Sequence, residues 1–309
     1  MQPSASTVSS DRFAPALLVL LWSTGWLSAS YAAQGADALT FLSWRFAIAG
    51  TLLAAYALAI RAPWPQTPAH WLHGLVSGAL LHGFYLGALW WAMRAGVSTT
   101  ISGLIAALQP ILTAALAPVL IGERVSIWQR AGIALGFAGL ALALGPKLLD
   151  PHIQLQGTPI WPVVVTALGV VSVTFGTFYQ KRFLAVGDLV SGAVVQYAGG
   201  FIVVFVGALL FEPMQIDWSA QTIATLAWSV LGLSIGAILM MLMMIRRGAV
   251  ARVATLFYLV PPLVAVEAFF LFGDRLAPMQ IGGMVLTVLG VVLATRKGLA
   301  APKVLTTHT

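Results

Sequence analysis

Cysteine is absent from all 309 residues, which excludes a disulfide framework and a thiolate metal site. Charge is scarce as well. Asp, Glu, Lys and Arg make up 8% of the chain, where a soluble domain carries roughly 25%. With 60% hydrophobic residues and a mean hydropathy of +0.93, the chain has too few polar groups to cover a surface facing water, so the bilayer must be its solvent. The net charge is +7, but the basic residues are scattered between apolar runs and form no stripe of the kind that grips nucleic acid. No nucleic-acid partner is expected. The chain has no GxxxxGK[ST] phosphate loop and no HExxH zinc pattern. Gly273-Asp274 lacks the preceding glycine of an intramembrane aspartyl protease, and no two carboxylates face each other within the apolar runs. Neither enzyme activity nor a cofactor or metal is expected.

What is present is a series of apolar runs, each long enough to span a bilayer (about 17–25 residues). They fall near 14–32, 41–60, 71–93, 97–121, 127–145, 160–179, 189–211, 222–245, 249–272 and 277–295. The first is as long as a full span, longer than a signal-peptide core, and is read as a helix that stays in the membrane. The predicted fold is all-α and integral to the membrane. Residues 1–13 form an N-terminal tail, 14–145 a first five-helix unit, 146–159 a polar linker, 160–295 a second five-helix unit and 296–309 a C-terminal tail. Orientation follows from basic charge. With the N-terminus cytoplasmic, inside segments hold eleven basic residues (Arg12, Arg61, Arg124, Arg130, Lys181, Arg182, Arg246, Arg247, Arg296, Lys297, Lys303) and outside loops three (Arg94, Lys147, Arg275). The positive-inside rule then places both tails in the cytoplasm and the linker outside, in the inner (plasma) membrane.

The two units resemble each other at an offset of 151 residues. Pro110 meets Pro261, Gly122 meets Gly273, Glu123 meets Asp274 and Arg124 meets Arg275. Gln129 meets Gln280, Gly132 meets Gly283, Gly139 meets Gly290 and Gly25 meets Gly176. Five is an odd number, so the second unit must enter the membrane from the opposite face, as in the inverted repeats of secondary transporters.

Leu108-Gln109-Pro110, then Ile121-Gly122-Glu123-Arg124, Gln129 and Gly132 resemble the first EamA-type repeat of the drug/metabolite transporter superfamily. Val260-Pro261-Pro262, then Gly273-Asp274-Arg275 and Gln280, resemble the second, and Trp22-Ser23-Thr24-Gly25-Trp26 and Arg45 are similar to the family pattern too. The resemblance implies a ten-helix exporter of amino acids or related small metabolites.

Few residues stand out within the spans. Arg45 is the basic residue well inside one; it either snorkels outward as an anchor or meets an anionic substrate group. Glu267 is the acidic residue inside a span, and either pairs with Arg275 or Arg94 or serves as a coupling carboxylate. His82, mid-span with Tyr85 three positions on, titrates in a range suited to proton coupling or bonds a neighbouring helix. Trp22, Trp26, Tyr85, Tyr179 and Tyr197 could form an aromatic wall. Pro110 (after Gln109) and Pro261 interrupt matched helices, freeing the carbonyls of Ala106 and Phe257, while Pro262 frees that of Tyr258. Such breaks mark a binding site or a kink for packing. Gly132, Gly136 and Gly139, like Gly232 and Gly236, read as helix–helix contact faces, which leaves the fifth and tenth helices peripheral to a pathway between the others.

The expected partners are the lipid bilayer, a small metabolite and, as coupling ion, protons. The best-fitting substrate is a small zwitterion: carboxylate on Arg45, ammonium on the freed carbonyls, and an apolar, even aromatic, side chain against Trp22, Trp26, Tyr85 and Tyr258. Two alternatives stand beside this: a uniporter or exchanger of phosphorylated or nucleotide-linked metabolites, and a non-transporting membrane scaffold.

Overall fold

The computed structural model describes residues 5–122, 126–149, 160–184, 187–240, 260–273 and 277–294. Within them the chain forms ten helical segments: α1 (Ala5–Gly35), α2 (Ala38–Ala59), α3 (Pro68–Arg94), α4 (Thr99–Ala106 and Leu108–Ile121, parted at Ala107), α5 (Ile127–Leu149), α6 (Ile160–Phe183), α7 (Leu189–Phe211), α8 (Ala220–Met240), α9 (Val260–Phe272) and α10 (Pro278–Ala294). Six of them, α2, α3, α4, α6, α7 and α8, are long and apolar enough by themselves to cross a bilayer.

Local chemistry sets several of the ends. Thr67, Ser98 and Ser219 cap α3, α4 and α8 by accepting from the backbone N–H three residues on. Ser126 and Gln129 form a reciprocal capping box at α5, and Gln280 accepts from the Ala277 N–H at α10. Gly122 (φ 67°) and Gly273 (φ 70°) end α4 and α9 in the left-handed conformation. The matched pairs Gly122/Gly273 and Gln129/Gln280 are therefore helix punctuation. Two boundaries differ from expectation. α1 is helical from Ala5, since neither Gly nor Pro falls between residues 5 and 14, and α5 runs past Pro146 to Leu149, which shortens the linker.

Helix contacts repeat with two-fold logic. α2 packs on α7, α4 on α9 and α5 on α10, each against its counterpart. Three further contacts have repeat-related counterparts: α1 on α9 and α6 on α4, α3 on α6 and α8 on α1, α3 on α7 and α8 on α2. The ends of α1 and α7 meet at one face, where Asp217 N–H donates to the Gly35 carbonyl at 2.7 Å. α6, antiparallel to α7, therefore runs opposite to α1, and the two five-helix repeats are inverted.

The α5–α10 contact is the most extensive. A Cβ on Gly139 would lie 2.5 Å from the Thr287 nitrogen and 2.7 Å from the Gly283 carbonyl oxygen. Only glycine permits backbones this near, and in lipid such packing holds helices together.

Candidate functional site

Irregular backbone opens the centre of the molecule. α3 contains a π-helical segment at Ala79–Phe84 and α8 another at Ser229–Gly236. Shifted by 151, the first segment becomes 230–235, inside the second. A π segment adds a residue to the helical turn and recurs at functional sites. Here the two segments deliver His82 and Leu233 to one cavity of about 430 Å³, within the roughly 300–1,000 Å³ of small-molecule sites. Its described wall comes from α1–α4 and α6–α9, with nothing from α5 or α10.

Arg45, on α2, is buried and turned into this cavity rather than outward. Its Nε donates to Ser234 Oγ at 3.1 Å. The guanidinium carbon lies 5.5 Å from the Trp90 ring centroid and 5.9 Å from that of Phe46, at cation–π distance. The Tyr197 phenol is in range of both Arg45 and Ser234. A guanidinium has five N–H donors, so these neighbours hold it in place while leaving donors for a ligand. His82 packs its ring against Phe46 and Tyr197, with centroids 6.2 and 5.1 Å away, and among the described residues nothing hydrogen-bonds its nitrogens. Trp26 brings a second donor, because its indole N–H is buried without a partner among the described residues.

Of the residues singled out in the sequence, Trp22, Trp26, Arg45, His82, Tyr85, Gln109 and Tyr197 line the cavity. Tyr179 does not; its hydroxyl and His73 Nδ1 share a 2.7 Å hydrogen bond where α6 meets α3. Ala106 is buried outside the wall, and Pro110 falls in the first turn of Leu108–Ile121. Because the break at Ala107 precedes the proline, Pro110 costs that turn little, and neither residue reaches the cavity. Phe257 and Tyr258 lie outside the described residues, as does the side chain of Pro261; Val260 beside it lines the wall. Glu267 also stands away from the wall, between α9 and α1. It accepts from Ser23 Oγ at 2.8 Å rather than pairing with Arg94, its second oxygen is buried without a partner among the described residues, and Arg275 lies outside them. Sequence reasoning missed Trp90, Met93, Gln180 and Gln196 in the wall. One signal was available for Gln196, since it stands 151 residues after Arg45.

One end of the cavity is closed. Above Trp90 and Met93, the α1–α2 turn is bridged to the α7–α8 connection at Ala36 and Ile216. Asp37 N–H donates to the Gln215 carbonyl at 3.0 Å, and Gln215 N–H to Asp37 Oδ2 at 2.8 Å. Toward the other end the wall reaches Gln180 and Leu189.

Inverted five-helix repeats, paired π segments and a largely apolar cavity lined by both repeats, with a few polar groups in its wall, define a membrane transporter. The chain belongs to the EamA-like transporter family, whose pattern it matches twice, over residues 13–145 and 160–296. It is 25% identical to the uncharacterized transporter YvbV of Bacillus subtilis, over 92% of this chain and 91% of that one. A protein of Salmonella typhimurium named as a probable amino-acid metabolite efflux pump is 26% identical over 92% of this chain and 94% of its own length. A solved crystal structure shares the fold with a TM-score of 0.62, at 21% identity and covering 93% of this chain and 96% of that one.

Proposed function

We propose that this protein exports small zwitterionic metabolites, amino acids foremost, by alternating access between its two repeats in the inner membrane. The observation that carries this reading is the cavity itself. Its described wall holds one guanidinium, Arg45, among aromatic faces and carboxamides, and no carboxylate. A single carboxylate on the substrate matches a single guanidinium. The ammonium can rest on the faces of Trp22 or Trp26 and donate to the side-chain carbonyl oxygen of Gln109 or Gln196. That arrangement replaces the freed backbone carbonyl of Ala106, which stands off the wall. A phosphorylated metabolite, with two or more charges, would meet too little positive charge here. The name of the Salmonella relative supports the amino-acid class.

The basic-residue asymmetry supports a cytoplasmic position for both termini. The sealed end, above Trp90 and Met93, then faces outside, and the end at Gln180 and Leu189 faces the cytoplasm, the loading side for an exporter. Protons are the proposed coupling ion, with His82 inside the cavity and Glu267 beside α1 as the groups that could carry them.

The test is transport in proteoliposomes containing the purified protein, using a panel of amino acids with and without a pH gradient. Movement of amino acids but not of sugar phosphates is expected; a protein that moves no amino acid overturns the proposal. Single cysteines at Gln156 and Thr307 should label from opposite faces of intact cells, and labelling from one face would overturn the orientation.

A further inference from the structure

The seal above Trp90 and Met93 has an unformed counterpart at the other end of the molecule. Exchanging repeats at the 151-residue offset, the bridged pair Ala36 and Ile216 becomes Gly187, in the α6–α7 turn, and Pro65, in the α2–α3 connection. Asp37 becomes Asp188, and Gln215 becomes Trp64. The two aspartates hold the same extended backbone, φ −69° and ψ 137° against φ −76° and ψ 134°. The two inner segments are already neighbours, since Ser191 Oγ donates to the Pro63 carbonyl at 2.7 Å. Yet among the described residues no hydrogen bond joins Asp188 to Trp64. The α2–α3 connection is folded on itself instead. Trp64 stacks on Trp71 with ring centroids 5.9 Å apart, Trp71 Nε1 donates to the Pro65 carbonyl at 2.9 Å, and Gln66 Nε2 donates to the Trp64 carbonyl at 2.7 Å.

We propose that the cytoplasmic end closes by the same device: an antiparallel bridge between Gly187 and Pro65, with Asp188 N–H donating to the Trp64 carbonyl and Arg61 paired with the Asp188 carboxylate. In the outer seal the backbone donors are Asp37 and Asp217, which flank the bridged pair. A proline in the place of Ile216 therefore removes no donor. Glycine in the place of Ala36 lets the turn pass between its present φ of 146° and extended backbone. Arg61 stands where the other repeat has Glu212. A guanidinium cannot accept from a helix N-terminus. Asp188 caps α7 with Oδ1, however, so its Oδ2 remains to face Arg61. The two latches thus differ in strength. The outer one adds three hydrogen bonds to the Glu212 carboxylate; the inner one adds an exposed ion pair, which contributes little in water. The difference favours the form open toward Gln180 and Leu189, the form of this structure. This inference rests on the alternating-access reading above, and adds to it the contacts that close the second form.

Paired cysteines test it, because the chain has none of its own. In such a non-hydrogen-bonded pair the Cα atoms of residues 65 and 187 would stand about 4.5 Å apart, within disulfide reach. In proteoliposomes, Pro65→Cys/Gly187→Cys should cross-link slowly, and several-fold faster with Glu212→Ala added to loosen the outer seal. Cross-linked protein should stop transporting and recover on reduction. Absence of a cross-link, a rate indifferent to Glu212→Ala, or transport by cross-linked protein would overturn the inference. An Ala36→Cys/Ile216→Cys pair checks the reading beneath it. Cross-linking there should also stop transport, and continued transport would overturn alternating access itself.

A single exposed substitution keeps the test decisive if the cysteine pair fails to fold. Arg61→Glu sets like charges beside Asp188 and should slow outside labelling of a cysteine under the outer seal, Met93→Cys, several-fold. Arg61→Lys should leave the rate near that of the arginine protein. Labelling unchanged by Arg61→Glu would overturn the inference.

Discussion

Glu212, just past the end of α7, caps α2: its carboxylate accepts from Thr40 N–H at 2.8 Å, from the Thr40 hydroxyl at 2.9 Å and from Leu39 N–H at 2.9 Å. At the start of α7, the related amides of Val190 and Ser191 are capped by Asp188, at 2.9 and 3.0 Å, from within their own turn. Asp37 occupies the position 151 residues before Asp188 but makes no such cap, and holds Gln215 instead. The two repeats thus share the residues and differ in the bond. On one face the cap is exchanged between repeats, and that exchange ties the face shut.

Glu212→Ala removes a cap and a charge-assisted tie, a loss of about 0.5–2 kcal/mol by the usual cost of an N-cap. The closed face should open more often. The chain lacks cysteine, so a single Met93→Cys placed under the seal reports accessibility. An impermeant thiol reagent applied to that face should label it several-fold faster in the Glu212→Ala background. Equal rates would mean that the exchanged cap does not hold the seal.

Arg45→Ala and Arg45→Lys should both cut amino-acid transport at least about tenfold, since a charge-assisted hydrogen bond contributes roughly 1.5–3 kcal/mol. Lysine keeps the charge but loses the planar fork that spans Ser234 and the substrate at once. His82→Ala and Tyr85→Ala should reduce transport less, with membrane insertion intact. Wild-type rates in the Arg45 variants would remove the guanidinium from the site.

Glu267→Gln keeps the shape of the side chain and its bond to Ser23 but cannot release a proton. If Glu267 carries the coupling proton, the variant should still exchange substrate across liposomes while losing its response to an imposed pH gradient. A gradient response equal to wild type would assign coupling elsewhere, with His82 the next group to substitute.

Gly139→Leu forces a side chain into the backbone of α10 near Thr287 and Gly283. The α5–α10 pair lies away from the cavity, so the defect should be one of stability: a lower unfolding temperature in detergent and a smaller folded yield. Whatever protein folds should bind substrate with near-normal affinity. A large loss of affinity at normal stability would place this helix pair in the transport path.

The positions and number of the spans were legible in the sequence because length and apolarity alone decide whether a segment enters the bilayer. The repeat was legible because Gly122, Gly273, Gln129 and Gln280 punctuate helices, and punctuation depends on local backbone chemistry. Arg45 and His82 were legible because polar groups are rare in such runs. Which way each helix turns was not legible. Lipid tails and a helical interior are equally apolar, so periodicity does not mark the inward face as it does in water. The prolines pointed to Ala106, yet the irregular backbone at the described cavity wall is the pair of π segments, which contain no proline. Trp90 and Gln180 join the wall only through helix rotation. The cap that Glu212 gives to α2 and the bond from Gln215 to Asp37 depend on two connections that lie more than 170 residues apart in the chain and meet only when the repeats pack.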